Sequence, residues 1–326
     1  MCPHVANFGL GQPLPDHSTS WFATHQFIAE MIFHARVENH PCRTWEPNKA
    51  NLFYVPFYGG LYASSMFGES NHTIRDDLAV NLVDYLQKHV GANGRETTLE
   101  SSNQYGIPYP SYFHPSTVTE MLRWQLLMKE SDRPYLFSFV GGERKDLEKA
   151  AIRNDIVKQC ANTTRCMLLK CGSGASKCHE PTEVLKVMTK SVFCLQAPGD
   201  SFTRRSTFDA VVSGCIPVFF SPHTAYTQYA WYFPEDAEKY SVYIDEKGDG
   251  RKRIEEELLK ISSEKVEKMR DAVINLMPRI TYAHPNASDA GFKDAVDVAL
   301  IQLYRLIQEN VKNSDMEVPM GLLDTI

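Results

Sequence analysis

Apolar residues recur near helical spacing over residues 18–39, where Phe22, Phe27, Ile28, Met31 and Ile32 share a stripe and Ser18 or Ser20 can cap the start. Residues 52–57 are a short apolar run closed by Gly59-Gly60, which predicts a buried strand opening onto a loop. Leu78, Leu82, Val83, Tyr85 and Leu86 mark one face of a second helix over 74–90. Pro108-Tyr109-Pro110 forces an extended crossing, and 117–129 is helical again. The pattern then resets: a strand over 135–140 ends at Gly141-Gly142, followed by a helix over 147–160. A helical stretch over 184–190 leads to a strand at 191–195. A strand at 241–244, helices at 254–261 and 264–277, and a long final helix over 292–308 complete the chain. Helices and strands alternate twice, which predicts an α/β fold of two Rossmann-like halves. The boundary falls near 132–134, and the final helix is expected to cross back onto the first half.

The densest chemistry lies at 194–220, CLQAPGDSFTRRSTFDAVVSGCIPVFF. An apolar strand enters a polar loop that holds Gly199, Asp200, Ser201, Thr203, Arg204 and Arg205. A helix with Phe208, Val211 and Val212 follows, Gly214 stops it, and 216–220 is a buried strand. An α/β sheet presents an anion site in this way, at its carboxyl edge. Two arginines can fork onto diphosphate oxygens, and Ser201 or Thr203 can donate hydrogen bonds. Most arginine pairs are merely solvated; a polar loop held between two apolar strands is what sets this one apart.

Composition narrows the class. A chain of 326 residues with 43% hydrophobic and 23% charged residues suits a globular protein of two ordinary domains. A net charge of −6 gives no basic field for nucleic acid or a polyanionic glycan, and favours a neutral polysaccharide. No run of eighteen apolar residues is present. Among the eight cysteines, Cys160, Cys166, Cys171 and Cys178 lack the spacing of a zinc site and are expected to supply at least one disulfide. Cys2 is expected to pair with Cys42, while Cys194 and Cys215 read as small buried hydrophobes. Sequons at Asn71, Asn162 and Asn286 fit a secretory route.

GDSFTRRSTFDAVVSGCIPVFF (199–220) resembles the nucleotide-sugar motif of the plant exostosin-like glycosyltransferases of family 47, most closely the xyloglucan galactosyltransferase branch. Seven further stretches agree in order: GLGQPL (9–14), WFATHQF (21–27), NLFYVPFYGG (51–60), GIPYPSYFHP (106–115), LFSFVGGERK (136–145), AYTQYAWYFP (225–234) and INLMPRITYA (274–283). The resemblance implies a GT-B type fold, two Rossmann-like domains facing a cleft. On this reading residues 1–133 form an acceptor-side domain, 134–305 bind the nucleotide sugar, and 306–326 are a tail packed back on the first domain. It implies a type II Golgi protein, lumenal, with its anchor outside this chain, that can form homo- or hetero-oligomers in the Golgi. It also implies about forty residues more than this chain has between the second helix and GIPYP, so that a segment is expected to be missing near 94–101.

A nucleotide-sugar transferase must grip uridine diphosphate, stabilise charge on the leaving phosphate and deprotonate the acceptor hydroxyl. Arg204 and Arg205 are the candidates for the diphosphate. Arg144, where a strand meets a helix, is a further candidate. Asp209 matches an acidic position of the family motif and is expected at the ribose or uracil. His25 and Asp200 are the candidate bases; the arginines beside Asp200 make it the poorer one. Glu30 has no evident role. No Asp-x-Asp of the metal-dependent type occurs, so neither metal nor cofactor is expected beyond the UDP-sugar co-substrate. The expected reaction is inverting: galactose passes from UDP-galactose, in β linkage, to xylosyl side chains of xyloglucan. UDP-xylose, UDP-arabinose or UDP-galacturonate stand as alternative donors. A non-catalytic carbohydrate-binding relative is the competing class, and a hydrolase lacks its opposed pair of carboxylates.

Overall fold

The central feature of the computed structural model is a five-stranded parallel sheet. The structure describes residues 5–15, 17–66, 68–89, 105–144, 148, 151–172 and 177–316. Strands β1 (Tyr135–Gly141), β2 (Cys166–Lys170), β3 (Ser191–Gln196), β4 (Ile216–Phe219) and β5 (Val242–Tyr243) lie in the order β2-β1-β3-β4-β5. Phe137 stands opposite both Cys166 and Phe193, Phe193 opposite Ile216, and Val218 opposite Val242. Successive side chains of a strand face opposite sides. Phe193 and Leu195 therefore enter the large core, and Cys194 meets Val184, Met188, Ala210 and Cys215 on the other face. Both faces are covered, which is why β3 and β4 read as near-continuous apolar runs.

The α/β class and the parallel sheet are as the sequence predicts. Of the described helices, α1 (Ala29–Glu38), α2 (Gly59–Ser65), α3 (His72–His89) and α4 (Val118–Glu130) precede the sheet. Then come α5 (Ile152–Ala161), α6 (Pro181–Thr189), α7 (Arg205–Val212), α8 (Ile254–Leu259), α9 (Ser263–Ile280) and α10 (Ala295–Met316). Thr117 caps α4 by accepting the Glu120 N–H, and Glu120 reaches back past the cap to accept the Ser116 N–H at 2.6 Å. Glu30, which the sequence left without a role, accepts the Gly60 N–H at 2.8 Å and caps α2.

Several expectations change. Only Ala29–Glu38 of the stretch 18–39 is helical. Trp21 bridges Phe113, Phe22 bridges Pro13, and the Phe22 N–H donates to the Tyr112 carbonyl at 2.9 Å. Those tertiary pairings take the backbone groups that a helix would have used. The run 52–57 forms no strand: Phe53 is 64% exposed, and no described strand lies beside it. The described residues between 5 and 133 contribute helices, turns and isolated bridges rather than strands of the sheet. A single buried cluster runs from Leu10, Trp21 and Ile32 through Met121 to Phe193, Val218 and Tyr282, so the core continues across the boundary near 132–134. Arg133, at that point, donates to the carbonyls of Met188, Ser191 and Ser213.

The final helix is longer than the pattern predicts, running to Met316. Asp294 starts it by accepting the N–H groups of Val296 and Asp297 on Oδ1. Arg36 of α1 meets Asp294 at 2.8 Å with both side chains buried, and His40 Nε2 lies 3.2 Å from Asp297 Oδ1. These contacts hold the beginning of α10 against the first segment.

Disulfides join Cys160 to Cys166, Cys171 to Cys178 and Cys194 to Cys215. The first two fulfil the expectation of a bridged cluster. The third corrects the reading of Cys194 and Cys215 as packed thiols: β3 beside β4 brings their Cα atoms to 5.8 Å. Cys2 and residues 94–101 lie outside the described residues.

Candidate functional site

β1 and β3 are neighbours, but the chain leaves β1 towards β2 and leaves β3 towards β4. The loops after them part at the carboxyl edge, and such a switch point opens a crevice. Arg144 stands after β1, Arg153 on α5, and Asp200 and Arg204 on the loop after β3. Arg153 braces both walls, donating from Nε to the Pro198 carbonyl at 2.7 Å and from Nη1 to that of Gly142 at 3.3 Å. Asp200 lies 3.7 Å from Arg204 and 3.8 Å from Arg144. Two guanidinium groups thus pair with one carboxylate, and Arg153 lies near enough to feel the charges of all three. Burial holds the pKa of Arg153 down to about 10, and the charges of Arg204 and Arg144 push the same way. Burial also lowers that of Arg204, against the pull of Asp200. A dianion placed here removes that repulsion.

The loop is shaped for Arg204. The Gly199 N–H donates to the Ser201 carbonyl, and the Ser201 hydroxyl donates to the Thr203 carbonyl at 2.9 Å. The Arg204 guanidinium lies directly over Gly199, where any Cβ would overlap Nη2. Its Nε is buried without a hydrogen-bond acceptor. Gly199→Ala is therefore expected to displace the guanidinium rather than the backbone. We expect donor KM to rise with little change in melting temperature; unchanged KM means that Arg204 does not meet the donor.

Arg205 turns away from the crevice. Its Nη1 donates to the Thr24 carbonyl at 2.6 Å, its guanidinium covers the Tyr112 ring at 3.5 Å, and Nε lies 3.4 Å from Asp209. Asp209 is 3% exposed and accepts the Ser111 hydroxyl at 2.8 Å. Burial raises its carboxyl pKa, against Arg205 and Ser111. The two arginines adjacent in sequence are thus split, one at the crevice and one in a buried ion pair.

His25 sits in the loop before α1, not on a helix as the pattern suggested. Its Nδ1 accepts the Phe27 N–H at 3.4 Å, and Phe27 faces Tyr109, which faces Phe208 of α7. The preceding Thr24 is held twice: its carbonyl by Arg205, its hydroxyl 2.9 Å from His114 Nε2. His114 is fully buried, with Nδ1 2.9 Å from the Tyr282 carbonyl; burial pushes its pKa down to about 3, so the ring is neutral. Arg153 and His114 escaped the sequence reading. His114 stands inside GIPYPSYFHP, whereas no spacing marks Arg153.

A recess of about 540 Å³ adjoins the crevice, lined by Asp200, Ser201, Phe202, Thr203, His223, Thr227 and Gln228. The loop 200–204 therefore borders both the arginine-lined crevice and the polar recess. Among the described residues no three His, Cys, Asp or Glu side chains are grouped to hold a metal ion.

A crevice at the switch point, outside the carboxyl ends of the strands, is where open α/β sheets bind their ligands. The model of the Exostosin GT47 domain matches residues 3–96 and 90–258, and the chain belongs to this glycosyltransferase family. It is 56% identical over 355 residues to the probable xyloglucan galactosyltransferase GT17 of Arabidopsis thaliana, covering 95% of this chain and 78% of that protein. It is 39% identical over 352 residues to the xyloglucan galactosyltransferase MUR3 of the same plant, covering 92% of this chain and 56% of the other. Among solved structures, the crystal structure of the GtfA/B complex aligns with 62% of this chain and 39% of its own, at 14% identity and a TM-score of 0.33. The two pieces of the family match meet at 90–96, and the first alignment is longer than this chain of 326 residues.

Proposed function

We propose that the protein transfers galactose from UDP-galactose, with inversion, to xylosyl side chains of xyloglucan. The observation that carries this is the crevice: Arg144, Arg153 and Arg204 around Asp200 at the β1/β3 switch point, opening onto the recess. The relatives named as xyloglucan galactosyltransferases supply the sugar and the acceptor. The recess lining contains neither lysine nor arginine, which suits a neutral sugar better than a carboxylated one.

Arg204 and Arg144 meet the diphosphate, and Arg153 holds the loops that carry them. The acceptor oxygen attacks the anomeric carbon from the face opposite UDP. The bond to the β-phosphate oxygen breaks as the new glycosidic bond forms, and His25 takes the hydroxyl proton. Fixed guanidinium groups balance the charge that develops on the leaving diphosphate. Asp200 acts as counter-ion rather than as base. Arg205, Asp209, Ser111 and His114 hold the His25 loop against α7. The working location is the Golgi lumen; among the described residues no helix is long and apolar enough to cross a membrane.

The test is a donor screen on xyloglucan oligosaccharides with UDP-galactose, UDP-xylose, UDP-arabinose and UDP-galacturonate, the linkage being read by NMR. A β-galactosyl product is expected. An α-linked product, or turnover confined to UDP-galacturonate, overturns the reading.

A further inference from the structure

Asn71, Asn162 and Asn286, the acceptor residues of the three sequons, are all exposed. Their settings differ. Asn71 precedes α3, and its Oδ1 accepts the Thr73 N–H at 3.0 Å. A glycosylated asparagine keeps that oxygen, so the helix start survives modification. Asn286 lies in the turn after α9, where the Ala287 N–H donates to the His284 carbonyl. Neither lies between two bridged cysteines among the described residues.

Asn162-Thr163-Thr164 lies wholly inside the Cys160–Cys166 ring. Six residues fully extended reach about 20 Å. The bridge holds the two Cα atoms 5.1 Å apart. The sequon is also folded: the Asn162 N–H donates to the Gln159 carbonyl, and Thr163 Oγ1 accepts the Arg165 N–H. A sequon is modified in an extended strand that an oligosaccharyltransferase can grip, and the closed ring denies it that shape.

We propose that Asn71 and Asn286 carry N-linked oligosaccharides, and that Asn162 is modified only in competition with closure of the Cys160–Cys166 disulfide. In each transfer the asparagine Nδ2 attacks C1 of a sugar borne on a lipid diphosphate. The N–C1 bond forms, the C1–O bond to phosphate breaks, the lipid diphosphate leaves, and the Nδ2 proton passes to a base of the transferase. Oxidation of the two thiols by the lumenal thiol–disulfide system ends the opportunity at Asn162. A glycan at Asn162 does not block the crevice, because α5 runs from the carboxyl edge of β1 back to the amino edge of β2.

The experiment expresses the full chain behind a secretion signal in eukaryotic cells and reads occupancy at each site by glycopeptide mass spectrometry. Full occupancy is expected at Asn71 and Asn286, with partial occupancy at Asn162. Asn162 is expected to approach full occupancy in Cys160→Ser/Cys166→Ser, and also in the unaltered chain when dithiothreitol is present during synthesis. The second arm serves if the double variant is degraded. Occupancy at Asn162 that is the same in all arms overturns the competition; an empty Asn71 or Asn286 overturns that assignment. The readout is mass alone, so it stands apart from the galactosyl-transfer reading.

Discussion

Arg204→Ala is expected to lower kcat/KM for the sugar donor by about 10²–10³-fold, the usual cost of removing one preorganised charge that meets a transition state. The fold should hardly notice. Arg204 is a quarter exposed, and among the described residues its ion pair is with Asp200, which is 74% exposed, at 3.7 Å. Such a pair contributes about 0–1 kcal/mol. Arg205→Ala is the contrasting variant. It leaves Asp209 enclosed beside Ser111 without its cation, and removing one partner of a buried pair costs about 3–5 kcal/mol. Donor kinetics with a parallel urea titration separates the two. A stable Arg204→Ala enzyme with unaltered kcat/KM defeats the assignment of the crevice to the donor.

Arg36→Ala should be the most destabilising change far from the crevice, by about 3–5 kcal/mol, seen as a lower urea midpoint. Arg36 and Asp294 are 2% and 0% exposed, and the Asp294 carboxylate also receives the N–H groups of Ala283, Val296 and Asp297. Burial raises the Asp294 pKa, and Arg36 is the main force lowering it. Without Arg36 the folded-state pKa rises further above the unfolded value. The folded variant then binds more protons than its unfolded chain, so its stability falls as pH rises above the ordinary carboxylate range. The deficit against the unaltered protein should be widest near neutrality and should narrow on acidification. A deficit that does not change with pH would show that Asp294 is not the group left unpaired.

The sheet was legible because β3 and β4 are nearly continuous apolar runs, bounded by signals a short window can see. Gly214, at φ +60°, ends α7 with a conformation that suits glycine. β2 was not legible, since CMLLK is five residues long and sits between threonines and a cysteine. Residues 18–28 misled because Phe22 falls near helical spacing with Phe27, Ile28, Met31 and Ile32, yet Trp21 and Phe22 pair with Phe113 and Pro13, partners that no local window contains. The loop at 199–205 was recognisable as a polar, arginine-bearing turn between two apolar strands, but the directions of its arginines were not. Arg204 is the extended cap of α7 and Arg205 its first helical residue, and side chains adjacent in sequence at a helix start do not face one way. Arg153 reaches the site through tertiary packing, which one-dimensional spacing does not record.

The clasp between Arg36 and Asp294 spans 258 positions of the chain. A ribosome adding about 5–20 residues per second needs on the order of half a minute to cover that distance. For that interval α1 has left the ribosome, and the acid on which it closes has not been made. The amino-terminal end of this protein is therefore among the last parts to settle. Translation halted ahead of residue 294 would leave a nascent chain with its parallel sheet assembled and its opening helix still without an anchor.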